Sequence, residues 1–304
     1  MSAKLLHELH SHVEMRHRDG LLFRYVYAPE ADEIESPKPY FHPLRTLAGD
    51  EVTIYRPHDH AWHKGLSMTA SHLSGQNFWG GPTFVPGKGY VQLDNNGKIL
   101  HRSWADLLCE RDTVGFEELL EWVVADRRAW IAERRSVRVS EINEAEGFWS
   151  LDLRFQLENQ REQPLVFGSP TTEGRPEAGY GGLFWRGPRS FRQGTILAAG
   201  GSRGPETMGR PAAWLAYTGK HDGSLRRSTV LFLDSPANPR FPNKWFVRSD
   251  PFACISCSFM FDEQYTLAPR DTLTLEYRVV VCNGEWSLER LEALAEAWQR
   301  RGHG

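Results

Sequence analysis

Cysteine is scarce: four in 304 residues, too few for disulfides to frame a chain of this length. Charge of one sign is lacking as well. Lys and Arg total 36 against 39 Asp and Glu, a net charge of −3, and no basic run exceeds two residues. That balance removes the electrostatic footprint of a nucleic-acid binder. No stretch approaches the ~18–20 apolar residues of a membrane-spanning helix. The opening MSAKLLHELHSHVEMRHRDG is broken by His, Glu and Arg before an apolar signal region forms, so no targeting segment is expected and cytoplasm is the default compartment. Also missing are a Gly-x-Ser-x-Gly elbow, a P-loop, His-Glu-x-x-His and paired Cys-x-x-Cys motifs, which sets aside the standard serine hydrolases, P-loop enzymes and zincins. Cys254-Ile-Ser-Cys257 has redox spacing, but FACISCSFMF reads as a strand, where residues three apart face opposite ways. Structural thiols are expected for Cys109, Cys254, Cys257 and Cys282.

What is abundant is aromatic residues, 12% of the chain, together with 27 Gly and 18 Pro. This mixture favours short strands joined by many turns over a helical bundle. Strands are expected at Leu21–Tyr27, Val52–Tyr55, Ser150–Leu157, Ser228–Asp234, Cys254–Phe261 and Thr272–Cys282. In the last, Leu273, Leu275, Tyr277, Val279 and Val281 share one face. Residues 116–141 read two ways. Phe116, Leu119, Leu120 and Val123 make a helical stripe with Glu117, Glu118 and Glu121 opposite, yet Ala125-Asp126-Arg127 could turn a hairpin toward Arg135–Val139. The clear helix is the last element, 287–300, with Ser287 as N-cap and Leu288, Leu291, Leu294, Ala295 and Trp298 at helical spacing. Residues 170–209 are loop-rich, and no repeat or linker divides the chain, so 1–304 is expected to form a single domain.

Five of the twelve histidines fall between residues 42 and 72. In Arg56-Pro57-His58-Asp59-His60-Ala61-Trp62-His63-Lys64-Gly65, three imidazoles can serve three chemistries. They can ligate a metal, act as general acid and base near neutral pH, or hydrogen-bond a polyol while Trp62 stacks on it. A polar surface loop is the plain alternative. His42 sits between prolines that fix the backbone, where a buried structural role is the rival reading. A second constellation, Thr171-Thr172-Glu173-Gly174-Arg175-Pro176-Glu177 followed by Gly179-Tyr180-Gly181-Gly182-Leu183-Phe184-Trp185-Arg186, combines carboxylates, guanidiniums and aromatics with glycines that permit close backbone approach. Those side chains suit sugar recognition: charged groups chelate hydroxyls and rings cover C–H faces. Trp79 in Gln76–Gly80 and Trp245 in Asn243–Arg248 place Trp beside hydrogen-bonders, although core packing is the commoner fate of such a Trp.

Tyr40-Phe41-His42-Pro43-Leu44, the Arg56–Leu66 string, Asn77-Phe78-Trp79-Gly80, Gly179–Arg186 and Trp245-Phe246-Val247-Arg248 resemble the bacterial family labelled PmoA or DUF6807, over about residues 20–285. The inherited label of methane oxygenase conflicts with the sequence, since the monooxygenase subunit of that name is a membrane protein and no span is present here. A more distant similarity is to galactose-mutarotase-like supersandwich proteins, in which His63-Lys64-Gly65 and Glu173 would match a His-Gly segment and a carboxylate on a concave sheet. The resemblance implies an all-β, mainly antiparallel, two-sheet β-sandwich with a C-terminal α-helix, and turns 116–141 into a hairpin. It also implies carbohydrate metabolism.

The expectation is therefore a carbohydrate-active protein. It would bind a mono- or disaccharide or a keto-sugar, with acid/base chemistry at a sugar carbon: epimerisation, or elimination or hydrolysis. His60 or His63 would be the acid and Glu173 the base. His42, His58, Arg175, Tyr180 and Arg186 would orient hydroxyls, and Trp62 or Trp79 would stack. The alternatives are a non-catalytic sugar-binding or sensor module, and a divalent-metal lyase or hydrolase on His58, His60 and His63. No other cofactor, nucleic acid or membrane partner is expected; the aromatic segments would permit a homodimer.

Overall fold

The computed structural model describes residues 3–109 and 114–301. Two eight-stranded sheets dominate. The first runs, in spatial order, Ala3–Glu8, His12–His17, Gly20–Val26, Tyr40–Leu44, Leu66–Thr69, Gly182–Arg186, Cys254–Ser258 and Lys244–Arg248. The second runs Thr195–Ala198, Trp214–Lys220, Arg227–Asp234, Thr272–Asn283, Phe148–Asn159, Ala129–Asn143, Val114–Val123 and Lys98–Cys109. Neighbouring strands are antiparallel throughout both sheets. Period-2 alternation turns their apolar rows toward each other, so that Phe23, Phe41 and Trp185 of the first sheet share one core with Phe116, Trp149 and Phe232 of the second. Two small sheets flank them: Leu165–Gly168 between His72–Leu73 and Tyr265–Leu267, and the hairpin Thr83–Val85 with Gly89–Val91.

This is the all-β two-sheet sandwich that the family resemblance implies. In Thr272–Asn283 the row Leu273, Leu275, Tyr277, Val279 and Val281 enters the central core, while Val280 and Cys282 face the other way. That outer face is covered by the C-terminal helix, Leu288–Arg301. Leu288, Leu291, Leu294, Ala295 and Trp298 pack there with Phe148, Trp214, Leu231 and Trp286. The Ser287 hydroxyl accepts the Arg290 N–H at 3.4 Å, as an N-cap does. No helix among the described residues is long and apolar enough to cross a membrane.

The segment that reads as helix or strand is the hairpin Val114–Val123 and Ala129–Asn143, closed by Val124 N–H to Arg128 O at 3.0 Å. Val52–Tyr55, by contrast, is not a strand. It carries only isolated bridges at its margins, Arg45 to Glu51 and Tyr55 to Lys64, because its hydrogen bonds go to a loop and to a strand end. Cys254 and Cys257 do lie on opposite faces of one strand, both buried and free. Burial raises the Cys254 thiol to about 12 and pushes Cys257 well above the usual thiol range too, which leaves both protonated. Cys282 is buried under the helix, and the Cys109 side chain lies outside what is described.

Candidate functional site

The histidine-rich stretch forms a tight excursion from the edge of Gly182–Arg186. Ile54 N–H bonds to Arg186 O at 3.1 Å, Gly65 N–H to Ile54 O at 3.0 Å, and Arg186 N–H to Gly65 O at 2.8 Å. Arg56 N–H to His63 O at 3.0 Å closes the loop, and turns from Pro57 to His60 and from His60 to His63 fold it. Glu35, almost wholly buried, anchors it through Lys64 and through Arg56 Nε at 2.9 Å. Gly80 has φ of 104°, and a Cβ there would stand 2.5 Å from Trp62 Cβ, so only glycine lets the Trp79 segment close over Trp62. Asn77 shapes that segment: its side-chain oxygen accepts the N–H groups of Trp79 and Gly80 at 2.9 Å each. Lys38 Nζ, held by burial at a pKa of about 7, donates to Trp79 O at 3.0 Å.

These elements wall a cavity of about 380 Å³. His60, Trp62, His63, Trp79, Arg175 and Tyr180 all line it, with Tyr90, Phe246, Arg248 and Phe252 among the other residues of its sides. Trp79 meets Tyr180 at 4.5 Å between ring centroids, and His60 stacks on His63 at 4.6 Å and 21°. The walls are thus mostly rings, with a few polar atoms at fixed places, as in small-molecule sites.

Arg186 sits behind the two imidazoles. Its Nη1 donates to His63 Nδ1 at 2.8 Å and its Nη2 to Asp59 Oδ2 at 2.9 Å, with its charge 3.6 Å over the Phe252 ring. A guanidinium has no lone pair to offer, so His63 Nδ1 must accept and the His63 proton resides on Nε2. Burial, then His60 and Arg186, push the His63 pKa well down, so the ring is neutral. His60 has the opposite arrangement. Its Nδ1 lies 2.9 Å from Asp59 Oδ2. Burial raises the Asp59 carboxyl, but Arg186 and His60 pull harder and hold it below the usual aspartate range. An ionised Asp59 only accepts, so His60 donates from Nδ1 and keeps a lone pair on Nε2. Burial also lowers His60, against Asp59. One cavity imidazole therefore offers an acceptor and its neighbour a donor. His63 Nε2 and Trp62 Nε1 are both buried and have no hydrogen-bond partner among the described residues.

Four expected site residues lie elsewhere. His58 accepts from Arg189 Nη2 at 2.8 Å and does not line the cavity. His42, on Tyr40–Leu44, bonds to Thr53 Oγ1 at 3.0 Å and stacks on Tyr55; burial, then Arg24 and Arg45, lower it to about 4. Arg186 acts on the cavity through His63 rather than lining it. Glu173 lies beside Thr172, outside the lining, and among the described residues no Asp or Glu contributes to the cavity wall. His58, His60 and His63 spend their Nδ1 atoms on Arg189, Asp59 and Arg186, and no group of three metal-ligating side chains forms among the described residues. Trp245 is core, bonded to Ala212 O. Tyr90 and Phe252 also line the cavity but belong to none of the sequence constellations. Phe252 follows the Trp245–Arg248 motif closely enough to be found, whereas nothing local marks Tyr90.

Comparison with solved structures finds similar architectures at very low identity. An α-galactosidase from Lactobacillus brevis matches 93% of this chain and 39% of its own, at 10% identity and TM-score 0.41. A heparan sulfate lyase mutant from Pedobacter heparinus matches 94% and 37%, at 9% and 0.45. A galactose mutarotase-related enzyme from Lactobacillus acidophilus matches 93% and 97%, at 8% and 0.36. The chain thus spans about two fifths of the length of the first two. A search of curated proteins finds no match. A family profile covers residues 12–296, and the chain therefore belongs to DUF6807, a family of unknown function.

Proposed function

We propose that the cavity binds a mono- or disaccharide, or a keto derivative, and that His60 and His63 carry out proton chemistry on it. Its ~380 Å³ lies near the lower end of small-molecule sites, which suits a short sugar. Ring faces cover the apolar C–H faces of a pyranose, and the unpartnered Trp62 Nε1–H and His63 Nε2–H await oxygen acceptors. The observation that carries the reading is the complementary pair: His60 Nε2 with a lone pair, oriented by Asp59, beside neutral His63 with a proton on Nε2.

In that arrangement His60 removes a proton from a sugar O–H or from a C–H next to a carbonyl. His63 donates a hydrogen bond to the oxygen on which negative charge grows, and Asp59 stabilises the imidazolium formed. His60 then returns the proton, giving epimerisation, or an adjacent substituent leaves, giving elimination. Hydrolysis by two flanking carboxylates is less well supported, because no carboxylate among the described residues lines the cavity. In this reading the base is His60, and Glu173 has no part in proton transfer.

The test is proton NMR in D2O with aldoses, sugar acids and keto-sugars, comparing the wild type with His60→Asn. The wild type should accelerate anomeric interconversion or exchange of a carbon-bound proton for one sugar class. His60→Asn should be about 100-fold slower or worse with an unchanged thermal melt. A fully active His60→Asn would overturn the assignment. Binding without turnover in the wild type would instead identify a sugar-binding module.

A further inference from the structure

The charge of the cavity wall is one-sided. Arg175 and Arg248 line it, and among the described residues no carboxylate does. Arginines elsewhere in the chain commonly pair with an acid: Arg24 with Glu14, Arg135 with Glu133, Arg226 with Asp50, Arg278 with Asp152. Neither cavity arginine forms such an ion pair among the described residues. Arg175 contacts the Tyr90 hydroxyl and lies 4.8 Å from the centre of that ring. Arg248 lies 5.3 Å from the Phe246 ring centre and reaches only a backbone carbonyl, that of Glu177, at 3.5 Å. Asp59, the acid bonded to the cavity imidazole His60, is already shared by Arg186 and Arg189. Arg175 and Arg248 line the cavity together with Tyr90 and Tyr180, whose hydroxyls are bonded to each other at 2.8 Å.

Building on the sugar reading, we infer that the site selects an anionic sugar, a uronic or aldonic acid, whose carboxylate is held by Arg175 and Arg248. A planar guanidinium matches a planar carboxylate through paired N–H···O bonds. Both guanidiniums are half-buried and still reach solvent, so they are free to turn onto a ligand carboxylate, which supplies the counter-charge they lack. A phosphate is less well matched: among the described residues no α-helix N-terminus, the usual cradle for phosphate oxygens, borders the cavity, since the α-helix there lies on the outer face of the other sheet.

Calorimetric titration of the full chain tests this with D-galacturonate, D-glucuronate and D-gluconate, the methyl esters of the two uronates, the parent neutral sugars and glucose 6-phosphate. One free acid should bind about tenfold or more tighter than its uncharged counterpart, the loss expected when a charge-assisted hydrogen bond is removed. That advantage should shrink as salt is raised. In Arg248→Met, with its fold checked by thermal melt, the acid should fall to the affinity of the uncharged form. Arg175→Met should do the same and stands in if the first variant fails to fold. Equal binding of acid and uncharged form, or binding of the phosphate alone, would overturn the anionic assignment and leave the sugar reading intact. No binding of any sugar would overturn both.

Discussion

Arg186 decides which proton each cavity imidazole carries. Nearly wholly buried, it forces His63 to accept at Nδ1 while it helps keep Asp59 ionised, and Asp59 in turn sets His60. The sequence shows these residues but not their division of labour, because Arg186 is more than a hundred positions away from the histidines. Asp59 raises the His60 pKa against the stronger effect of burial. Asp59→Asn should therefore lower that pKa further, moving the acidic limb of kcat/KM to lower pH, while the weakened orientation reduces the plateau about 100-fold. A pH–rate profile checks both, and an unmoved acidic limb would show that Asp59 only holds the loop. Glu173 reads as the natural base from its neighbours in sequence. Its turn, pinned by Ser169 and Thr172, presents Arg175 to the cavity and not Glu173.

Among the elements, the hairpin Val114–Asn143 shows why residue periodicity can mislead. Phe116, Leu120 and Trp122 face the core at strand spacing, but position 118 of that same row is a glutamate. Its polarity makes the pattern look helical. Glu118 is tolerated because Tyr25 and His101, the latter at 2.7 Å, bond to it, and because Arg135 and Glu133 continue a buried polar network with Trp122 at 2.6 Å from Glu133. Neighbouring Glu117 and Glu121 face outward to Arg134 and Arg102. Such a network is visible only once strands are paired, since Tyr25 lies in the opposite sheet. Removing one partner leaves the others buried and unpaired, so Arg135→Met should cost roughly 3–5 kcal/mol in urea unfolding. A change below 1 kcal/mol would mean that the network is already relaxed by water. The terminal helix poses no such difficulty: its amphipathic stripe, its Ser287 cap and the face it covers are all local or strictly periodic signals.

At the scale of the molecule, the alternating strands and the final helix were legible because burial on one face imposes a period on the sequence. The sheet order was legible only through family resemblance. The cavity was half legible: His60, Trp62, His63, Trp79, Arg175 and Tyr180 converge, whereas Tyr90 arrives on a flanking hairpin and Phe252 after the edge strand Lys244–Arg248. The most direct measurement is a 1H–15N spectrum of the tryptophan indoles during titration with the sugar acids, with Trp62→Phe to assign the cavity signal. Trp62 Nε1–H has no partner among the described residues, while those of Trp185 and Trp245 are already bonded to the Val52 and Ala212 carbonyls at 2.8 Å. A ligand oxygen in the cavity should move the Trp62 signal saturably and leave the other two in place. A bound sugar acid that leaves the Trp62 signal still would contradict the cavity as the site.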